Sequence, residues 1–239
     1  SIFQVIKKEY NIDLHKAKYF AGHSLGEYSA IACASYLDFK DTIKILKKRG
    51  DAMQNAVPNG VGGMLAVLGT TVESIEKILN DHKDNFKAEI ANDNSEGQIV
   101  LSGKIKDLEK LSSILKHNKI KNVKLPVSAP FHCSLMKKAT DIMSIELNKL
   151  NFKKGNNVLI SNITANEIFN AEELKNLLTQ QIEKRVRWRE SVKNMVNKGV
   201  NNFIEIGPGK VLSGLIKRIN KDVKIISINN EEDIKNIQI

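Results

Sequence analysis

The sequence has little cysteine, few aromatic residues and no long apolar run. Cys33 and Cys133 are its only cysteines, too few for a disulfide framework and without the Cys/His clustering of a zinc site. Charged residues interrupt every apolar stretch well before the ~18 consecutive positions that a membrane helix requires. We therefore expect a reducing compartment, no structural metal and no membrane-spanning segment.

Arginine is scarce in a chain that is nevertheless basic. Lys+Arg number 37 against 27 Asp+Glu, a formal charge of +10, and aromatic residues make up 5%. Because nucleic-acid readers usually pair arginine with exposed aromatic side chains, nucleic-acid binding is not predicted. Two explanations of the lysine excess stay open: an anionic partner, or a coding bias that also enriches asparagine.

The hydropathy pattern predicts one α/β domain that carries a small insertion. With 41% hydrophobic and 27% charged residues, the chain has an ordinary globular composition. A strand over residues 17–24 and helices over 25–36 and 38–56 predict an α/β core. Residues 62–128 follow the order β-α-β-β-α-β, which is typical of a ferredoxin-like unit. We therefore expect a core of residues 1–59 and 126–239 and a ferredoxin-like subdomain over 60–125.

The segment GHSLG, residues 22–26, matches the G-x-S-x-G nucleophile elbow. It lies between a predicted strand and an Ala-rich helix, which is the structural context that this motif requires. Small residues on both sides allow a tight turn from which Ser24 projects at a helix N-terminus. Ser24 is therefore the candidate nucleophile, and the backbone N–H of Leu25 is the candidate oxyanion donor.

A serine nucleophile needs a base, and the chain has five histidines: His15, His23, His82, His117 and His132. His23 adjoins Ser24 in a tight turn, so its side chain should point away from the hydroxyl. His132 lies in VSAPFHCSLM, between a predicted strand and a predicted helix, whereas the other three lie in polar stretches. By elimination, His132 is the predicted base.

The order of these two residues separates two classes of enzyme. In α/β-hydrolases the order is Ser, then Asp or Glu, then His, with the histidine near the C-terminus. Here no histidine follows His132. An ordinary lipase, esterase or thioesterase triad is therefore disfavoured.

Several separated motifs resemble those of one family: GHSLGEYSA, RGDAMQNAVP, NSEGQIVLSG, VSAPFHCSLM, VRWRESV and EIGPGKVLSGLIKRI. The family comprises malonyl-CoA:acyl carrier protein transacylases and the acyltransferase domains of fatty-acid and polyketide synthases. The resemblance implies an α/β-hydrolase-like core with a parallel sheet plus an inserted ferredoxin-like subdomain. The family's first strand and its Gly-Gln-Gly-Ser-Gln motif have no counterpart here, so we expect an incomplete oxyanion hole.

The same resemblance implies a role for each matching residue. Ser24 corresponds to the acylated nucleophile and His132 to its base, with backbone carbonyls orienting the imidazole in place of an acid. Arg49 corresponds to the arginine that holds the malonyl carboxylate, a task that suits a guanidinium because it can bind a carboxylate through two hydrogen bonds. Gln181 corresponds to a glutamine lining the acyl site.

Two further residues correspond to positions on a hairpin that faces the family's cleft, Asn92 and Asn94. The activity implied is transfer of malonyl from malonyl-CoA to the phosphopantetheine thiol of acyl carrier protein through a malonyl-serine intermediate. The resemblance implies no metal or other cofactor, no nucleic-acid or membrane partner, and a monomer. We expect a cytoplasmic location, or the stroma of a plastid-type organelle in a eukaryote.

Three alternatives stay open at this point. A serine thioesterase or other hydrolase would release the free acid. A polyketide-type acyltransferase would use the same residues but accept branched units, although Phe131 directly before His132 fits malonyl use. A basic binding module without catalysis would bind nucleic acid and leave Ser24 unlabelled.

Overall fold

The computed structural model of the chain describes residues 2–235 and 237. Helices alternate with strands along it, and the predicted α/β class is confirmed at this level. The parts of the predicted core at residues 1, 236, 238 and 239 lie outside the described residues. Among the described residues, no helix combines the length and the apolar character that crossing a bilayer requires.

Helices, strands and short 3₁₀ turns make up the secondary structure. The helices are α1 Ile2–Lys8, α2 Leu25–Cys33, α3 Phe39–Gln54, α4 Val72–Asp81, α5 Ile105–His117, α6 Lys137–Asn148, α7 Ala171–Gln181, α8 Trp188–Asn197, α9 Val211–Ile219 and α10 Glu231–Lys235. The strands are β1 Tyr19–Phe20, β2 Gly62–Leu68, β3 Ala88–Ser95, β4 Gln98–Lys104, β5 Lys121–Lys124, β6 Val158–Ile160, β7 Glu167–Ile168, β8 Asn202–Ile206 and β9 Lys224–Ile228. The 3₁₀ turns cover Leu14–Lys16 and Ser134–Met136.

The expected parallel sheet of the core is divided in two. Strand β1 pairs with β6 in parallel and β7 adds an antiparallel edge, while β8 and β9 form a separate parallel pair. Within the described residues, β1 and β8 share no backbone pairing, and an apolar cavity of about 390 Å³ lies between them, lined in part by Phe20, Phe203 and Ile204. In this part of the chain the parallel pairs of strands therefore belong to two separate sheets.

A second sheet is antiparallel and has the strand order β3-β4-β2-β5. The chain passes through this unit in the order β2-α4-β3-β4-α5-β5. One apolar cluster joins sheet residues such as Val67 and Leu101 to Ile75 of α4 and Leu111 of α5. On the opposite side, Met64 and Val100 pack with Phe131. Strands β2, β3 and β4 are therefore buried on both faces, and the sheet supports the segment that carries His132.

Several contacts of strand β3 join the antiparallel sheet to the core. Strand β3 has register shifts that flank Asn92 and Asp93, and Asn92 forms an isolated parallel bridge with Val186. The carboxylate of Asp93, which is fully buried, accepts two hydrogen bonds from Arg189 Nε at 2.9 and 3.0 Å. Irregular strand geometry of this kind re-aims side chains next to functional sites, and here it turns Asn94 towards the core.

The main core cluster lies among α2, α3, α6 and α7 and contains Tyr28, Met53, Met143 and Leu178. Helix α3 buries positions at helical spacing: Thr42, Ile45, Arg49, Ala52 and Met53. An arginine therefore occupies an interior position of this stripe. The packing of α3 brings this charge beneath the N-terminus of α2.

Some predicted boundaries differ from those in the structure. The strand expected over 17–24 pairs only at Tyr19–Phe20, because the chain leaves the sheet to form the turn before Ser24. Helix α2 ends at Cys33 rather than at Tyr36, since Ser35 adopts φ 66°, the left-handed conformation that terminates helices. The short elements β7 and α10 were not predicted from the sequence.

Gly22 marks the closest backbone approach in the elbow. A Cβ atom at this position would lie 2.0 Å from the carbonyl carbon and oxygen of Gly26. In contrast, a Cβ at Gly50, inside α3, would meet no atom within 4 Å. Only the first of these glycines is required by the packing of backbone on backbone.

We predict opposite effects of alanine at these two positions. Gly22→Ala should lower the free energy of unfolding by about 1–3 kcal/mol because backbone atoms must move. Gly50→Ala should raise it by about 0.5–1 kcal/mol because alanine favours a helix interior. Urea unfolding followed by circular dichroism measures both, and equal stabilities of the two variants would contradict the close approach.

Candidate active site

Ser24 occupies the sharp turn between β1 and α2. It is the N-cap residue of α2 and adopts φ 52° and ψ −103°, a backbone conformation that residues other than glycine rarely take. Such strain persists only where surrounding contacts enforce it, and it is concentrated at functional sites. The turn leaves the Ser24 side chain partly exposed at the positive end of the helix dipole.

His132 lies next to this hydroxyl. Its Nε2 is 2.8 Å from Ser24 Oγ, and its Nδ1 is 2.7 Å from the backbone oxygen of Gln181. A carbonyl oxygen can only accept, so Nδ1 carries the proton and Nε2 is left free to accept the serine proton. His132 also has a positive φ, of 58°, so both members of the pair have backbone angles that residues other than glycine rarely adopt.

The surroundings of His132 favour the neutral imidazole. Only 4% of its surface is exposed, and burial lowers its pKa to about 3, with the positive charge of Arg49 acting in the same direction. The hydrogen bond to the Gln181 carbonyl opposes this shift without cancelling it. A histidine in this state is available as a base over the whole neutral range.

Arg49 reaches the same hydroxyl from α3. Its Nη2 donates to Ser24 Oγ at 2.8 Å and to Gln181 Oε1 at 3.0 Å, and the guanidinium lies 5.5 Å from the centre of the Tyr28 ring. Burial lowers the pKa of Arg49, although a guanidinium stays charged in proteins. Within residues 2–235 and 237, Arg49 Nε has no hydrogen-bond partner.

Gln181 and its neighbours connect these groups. The Gln181 amide nitrogen donates to the Ser24 backbone oxygen at 2.9 Å and to Glu27 Oε2 at 2.5 Å. Glu27 is 1% exposed, and burial raises its pKa to about 7, while the hydrogen bonds from Gln181 and Asn162 and the charge of Arg49 lower it. Gln181 therefore lies in contact with both Ser24 and Arg49.

Asn162 was not predicted as a site residue. Its Oδ1 accepts from the Ser24 backbone N–H at 2.7 Å, and its Nδ2 donates to the Gly22 oxygen at 2.7 Å, so one side chain braces both sides of the elbow. Asn162 follows β6, the parallel neighbour of β1. The carboxyl ends of adjacent parallel strands meet at one edge of a sheet, and this was the signal in the sequence.

The remaining predicted residues lie around the pair. Asn94 Oδ1 is 2.8 Å from His23 Nε2, so His23 points away from the Ser24 hydroxyl. Asn92 is buried and bridges to Val186, with no hydrogen bond to Ser24 or His132 among the described residues. The Leu25 N–H has no acceptor within the part of the chain that is described, which leaves it available to an oxyanion.

A cleft of about 550 Å³ adjoins His132. Charged residues line much of it: Glu76, Glu89, Glu183, Lys184, Arg185 and Arg187. Metal ligands are not gathered there: across residues 2–235 and 237, no group of three or more His, Cys, Asp or Glu side chains is arranged to hold an ion.

Comparisons with known proteins agree with this geometry. A model of the acyl transferase domain family matches residues 15–236. The malonyl CoA-acyl carrier protein transacylase of Bacillus subtilis (strain 168) is 41% identical over 217 residues, which are 90% of this chain and 68% of that protein. The corresponding protein of Staphylococcus aureus (strain MRSA252) is 42% identical over 90% of this chain and 70% of its own length.

Solved structures give the same result. The crystal structure of acyl-carrier-protein-S-malonyltransferase from Bartonella henselae superposes with a TM-score of 0.94 at 39% identity, covering 98% of this chain and 75% of that one. A malonyl-transacylase in complex with a type II PKS acyl-carrier protein superposes with a TM-score of 0.93 at 34% identity, with coverage of 98% and 75%. The chain therefore belongs to the acyl transferase domain family, among the malonyl CoA-acyl carrier protein transacylases.

Proposed function

We propose that the chain transfers a malonyl group from malonyl-CoA to the phosphopantetheine thiol of acyl carrier protein, a reaction of fatty-acid synthesis. The observation that carries the substrate assignment is the pair of contacts at Ser24 Oγ. A neutral histidine and a buried arginine both lie 2.8 Å from this oxygen. The histidine can activate the serine as a nucleophile, and the arginine places a positive charge near the free end of an acyl group attached to Ser24.

In the first half-reaction, Ser24 Oγ attacks the thioester carbonyl while His132 Nε2 takes the hydroxyl proton. The Leu25 N–H stabilises the oxyanion of the tetrahedral intermediate. Collapse of that intermediate breaks the C–S bond, and His132 returns the proton to the departing CoA thiol. Malonyl-serine remains, with its carboxylate bound by Arg49.

In the second half-reaction, the carrier's phosphopantetheine thiol enters the same cleft. His132 takes the thiol proton as the sulfur attacks the malonyl-serine ester, and it then returns the proton to Ser24 Oγ. These steps use side chains and backbone groups of the chain, and we propose that they need no cofactor. The family's use of carbonyls to orient the base has a counterpart in the contact between His132 Nδ1 and the Gln181 oxygen.

We also propose the domain assignment that the sequence suggested. The strand order β3-β4-β2-β5 and the chain order β-α-β-β-α-β support a ferredoxin-like subdomain over residues 60–125. The elbow followed by α2, with the parallel pairs β1–β6 and β8–β9, supports an α/β-hydrolase-like core of residues 1–59 and 126–239. A monomer located in the cytoplasm or a plastid stroma completes the proposal and rests on the resemblance.

Intact-protein mass spectrometry after mixing with malonyl-CoA tests the covalent step. We expect one malonyl group on Ser24, with no adduct in Ser24→Ala and almost none in His132→Ala. Addition of acyl carrier protein should discharge the adduct to the carrier, whereas the adduct should persist in its absence. Rapid discharge to water without the carrier would identify a thioesterase instead, and an intact adduct on His132→Ala would rule out the proposed base.

Arg49→Ala should change acyl selectivity. Loss of a charge-assisted contact to the malonyl carboxylate should lower kcat/KM for malonyl-CoA roughly 10- to 100-fold relative to acetyl-CoA. The matched control is Lys47→Ala on the same helix. An unchanged ratio of malonyl to acetyl transfer in Arg49→Ala would contradict the role of the arginine.

The protonation state of His132 is directly measurable. Because its pKa is lowered to about 3, its ¹⁵N signals should remain those of neutral imidazole, with the proton on Nδ1, from pH 5 to pH 8. Two-dimensional NMR of histidine-labelled protein, assigned by comparison with His132→Ala, provides the measurement. A titration midpoint near the ordinary histidine value would contradict the burial argument.

A further inference from the structure

Glu27 is a buried acid to which the proposed mechanism gives no task. It lies in the first turn of α2, three residues after the nucleophile, and is 1% exposed. Its Oε1 accepts from the backbone N–H of Asn162 at 3.2 Å, and its Oε2 accepts from Gln181 Nε2 at 2.5 Å. Both carboxylate oxygens therefore face donors, an arrangement that suits an ionised carboxylate, which can only accept.

The side-chain amide of Gln181 has an orientation that can be read from its neighbours. Its nitrogen faces three oxygens: Glu27 Oε2 at 2.5 Å, the Ser24 backbone oxygen at 2.9 Å and Asn162 Oδ1 at 3.4 Å. Its oxygen faces Arg49 Nη2 at 3.0 Å. Rotation of the amide by 180° would exchange these two ends and turn an N–H group towards the guanidinium.

Hydrogen-bond acceptors such as this amide oxygen determine the orientation of a buried guanidinium. Arg49 is 7% exposed, and its hydrogen bonds to Ser24 Oγ and Gln181 Oε1 are made by the same Nη2. The acidic group nearest along this chain of hydrogen bonds is Glu27, which is joined to Arg49 by hydrogen bonds through the Gln181 amide and also acts on it through its charge. Of the three oxygens that face the Gln181 nitrogen, Glu27 Oε2 makes the shortest contact and belongs to the one side chain that can carry a negative charge.

We propose that Glu27 is a positioning residue for acyl specificity: it holds the Gln181 amide oxygen towards Arg49 and so orients the guanidinium for a carboxylated acyl group. This inference rests on the proposed function, because the orientation matters only if Arg49 binds the acyl carboxylate. Glu27 itself touches neither the nucleophile's hydroxyl nor the base among the described hydrogen bonds.

The isosteric change Glu27→Gln isolates this role. An amide at position 27 offers one acceptor and one donor where the carboxylate offers two acceptors. The Asn162 backbone N–H cannot rotate and can only donate, so the amide oxygen at position 27 should accept from it. The amide NH₂ group at the same position then faces Gln181 Nε2, which is also a donor. The conflict between two donors removes the shortest of the three contacts that hold the Gln181 nitrogen, so the amide is held less firmly and its oxygen is a poorer acceptor for Arg49.

The experiment compares acylation of Ser24 by two donors at pH 8, above the raised pKa of Glu27. Malonyl-CoA supplies a carboxylated acyl group, and p-nitrophenyl acetate supplies a neutral one. In Glu27→Gln we expect the ratio of kcat/KM for malonyl-CoA to that for p-nitrophenyl acetate to fall about tenfold or more, mainly through KM for malonyl-CoA. The control Glu172→Gln, at a side chain that is 78% exposed, should keep the wild-type ratio.

The outcomes separate this inference from the proposed function. Failure of the wild-type chain to form malonyl-serine would overturn the proposed function itself. A wild type that loads malonyl, together with a Glu27→Gln variant of unchanged ratio, would overturn the role of Glu27 alone. An equal loss with both donors would also overturn it, because that result indicates general damage to the elbow.

A second variant keeps the test decisive if Glu27→Gln does not fold. Gln181→Met removes the amide but retains the backbone carbonyl that holds His132. Because the proposed effect of Glu27 on specificity passes through this amide, Gln181→Met should lower the same malonyl-to-acetate ratio, and the double variant should lower that ratio no further than Gln181→Met does. A wild-type ratio in Gln181→Met, or additive losses in the double variant, would contradict the relay.

Discussion

The last residue of α7 holds most of the site in place. The backbone carbonyl of Gln181 binds His132 Nδ1, and its side chain contacts the Ser24 backbone, Arg49 and Glu27. The final carbonyls of a helix have no partner within the helix and carry the negative end of its dipole. One of these carbonyls occupies the place that an aspartate takes in a Ser-His-Asp triad. The imidazole is thereby oriented without placing a full negative charge beside it.

This arrangement explains why His132 stays neutral. A buried aspartate would raise the pKa of the imidazole, whereas a carbonyl offers only a partial charge, and burial together with Arg49 prevails. The same cation that depresses the pKa of the base lies beside the nucleophile's oxygen. The group that we propose to bind the acyl carboxylate therefore also helps to keep the histidine neutral.

The sequence predicted the groups whose chemistry is written in short motifs. Ser24 followed from the elbow, and His132 followed from elimination among five histidines. Arg49 and Gln181 needed the family resemblance, because a basic residue in a helix or a glutamine near a helix end carries no local signal of burial. Asn162 and Glu27 were not predicted as site residues, because their contacts depend on where two strands and two helices meet in space. The division of the parallel strands into two sheets was also not predicted, since hydropathy indicates where strands lie but not which strands pair.

The buried ion pair between Asp93 and Arg189 has a consequence for how salt acts on this protein. It joins the antiparallel sheet to the core beside the bridge between Asn92 and Val186, where ions in solution have little access. The charges at the cleft, such as Lys184 and Arg187, are more accessible to solvent. Dissolved ions screen their electrostatic interactions within about 8–10 Å at physiological ionic strength. Electrolyte should therefore slow the arrival of an acidic carrier while leaving the shape of the cleft that receives it unchanged.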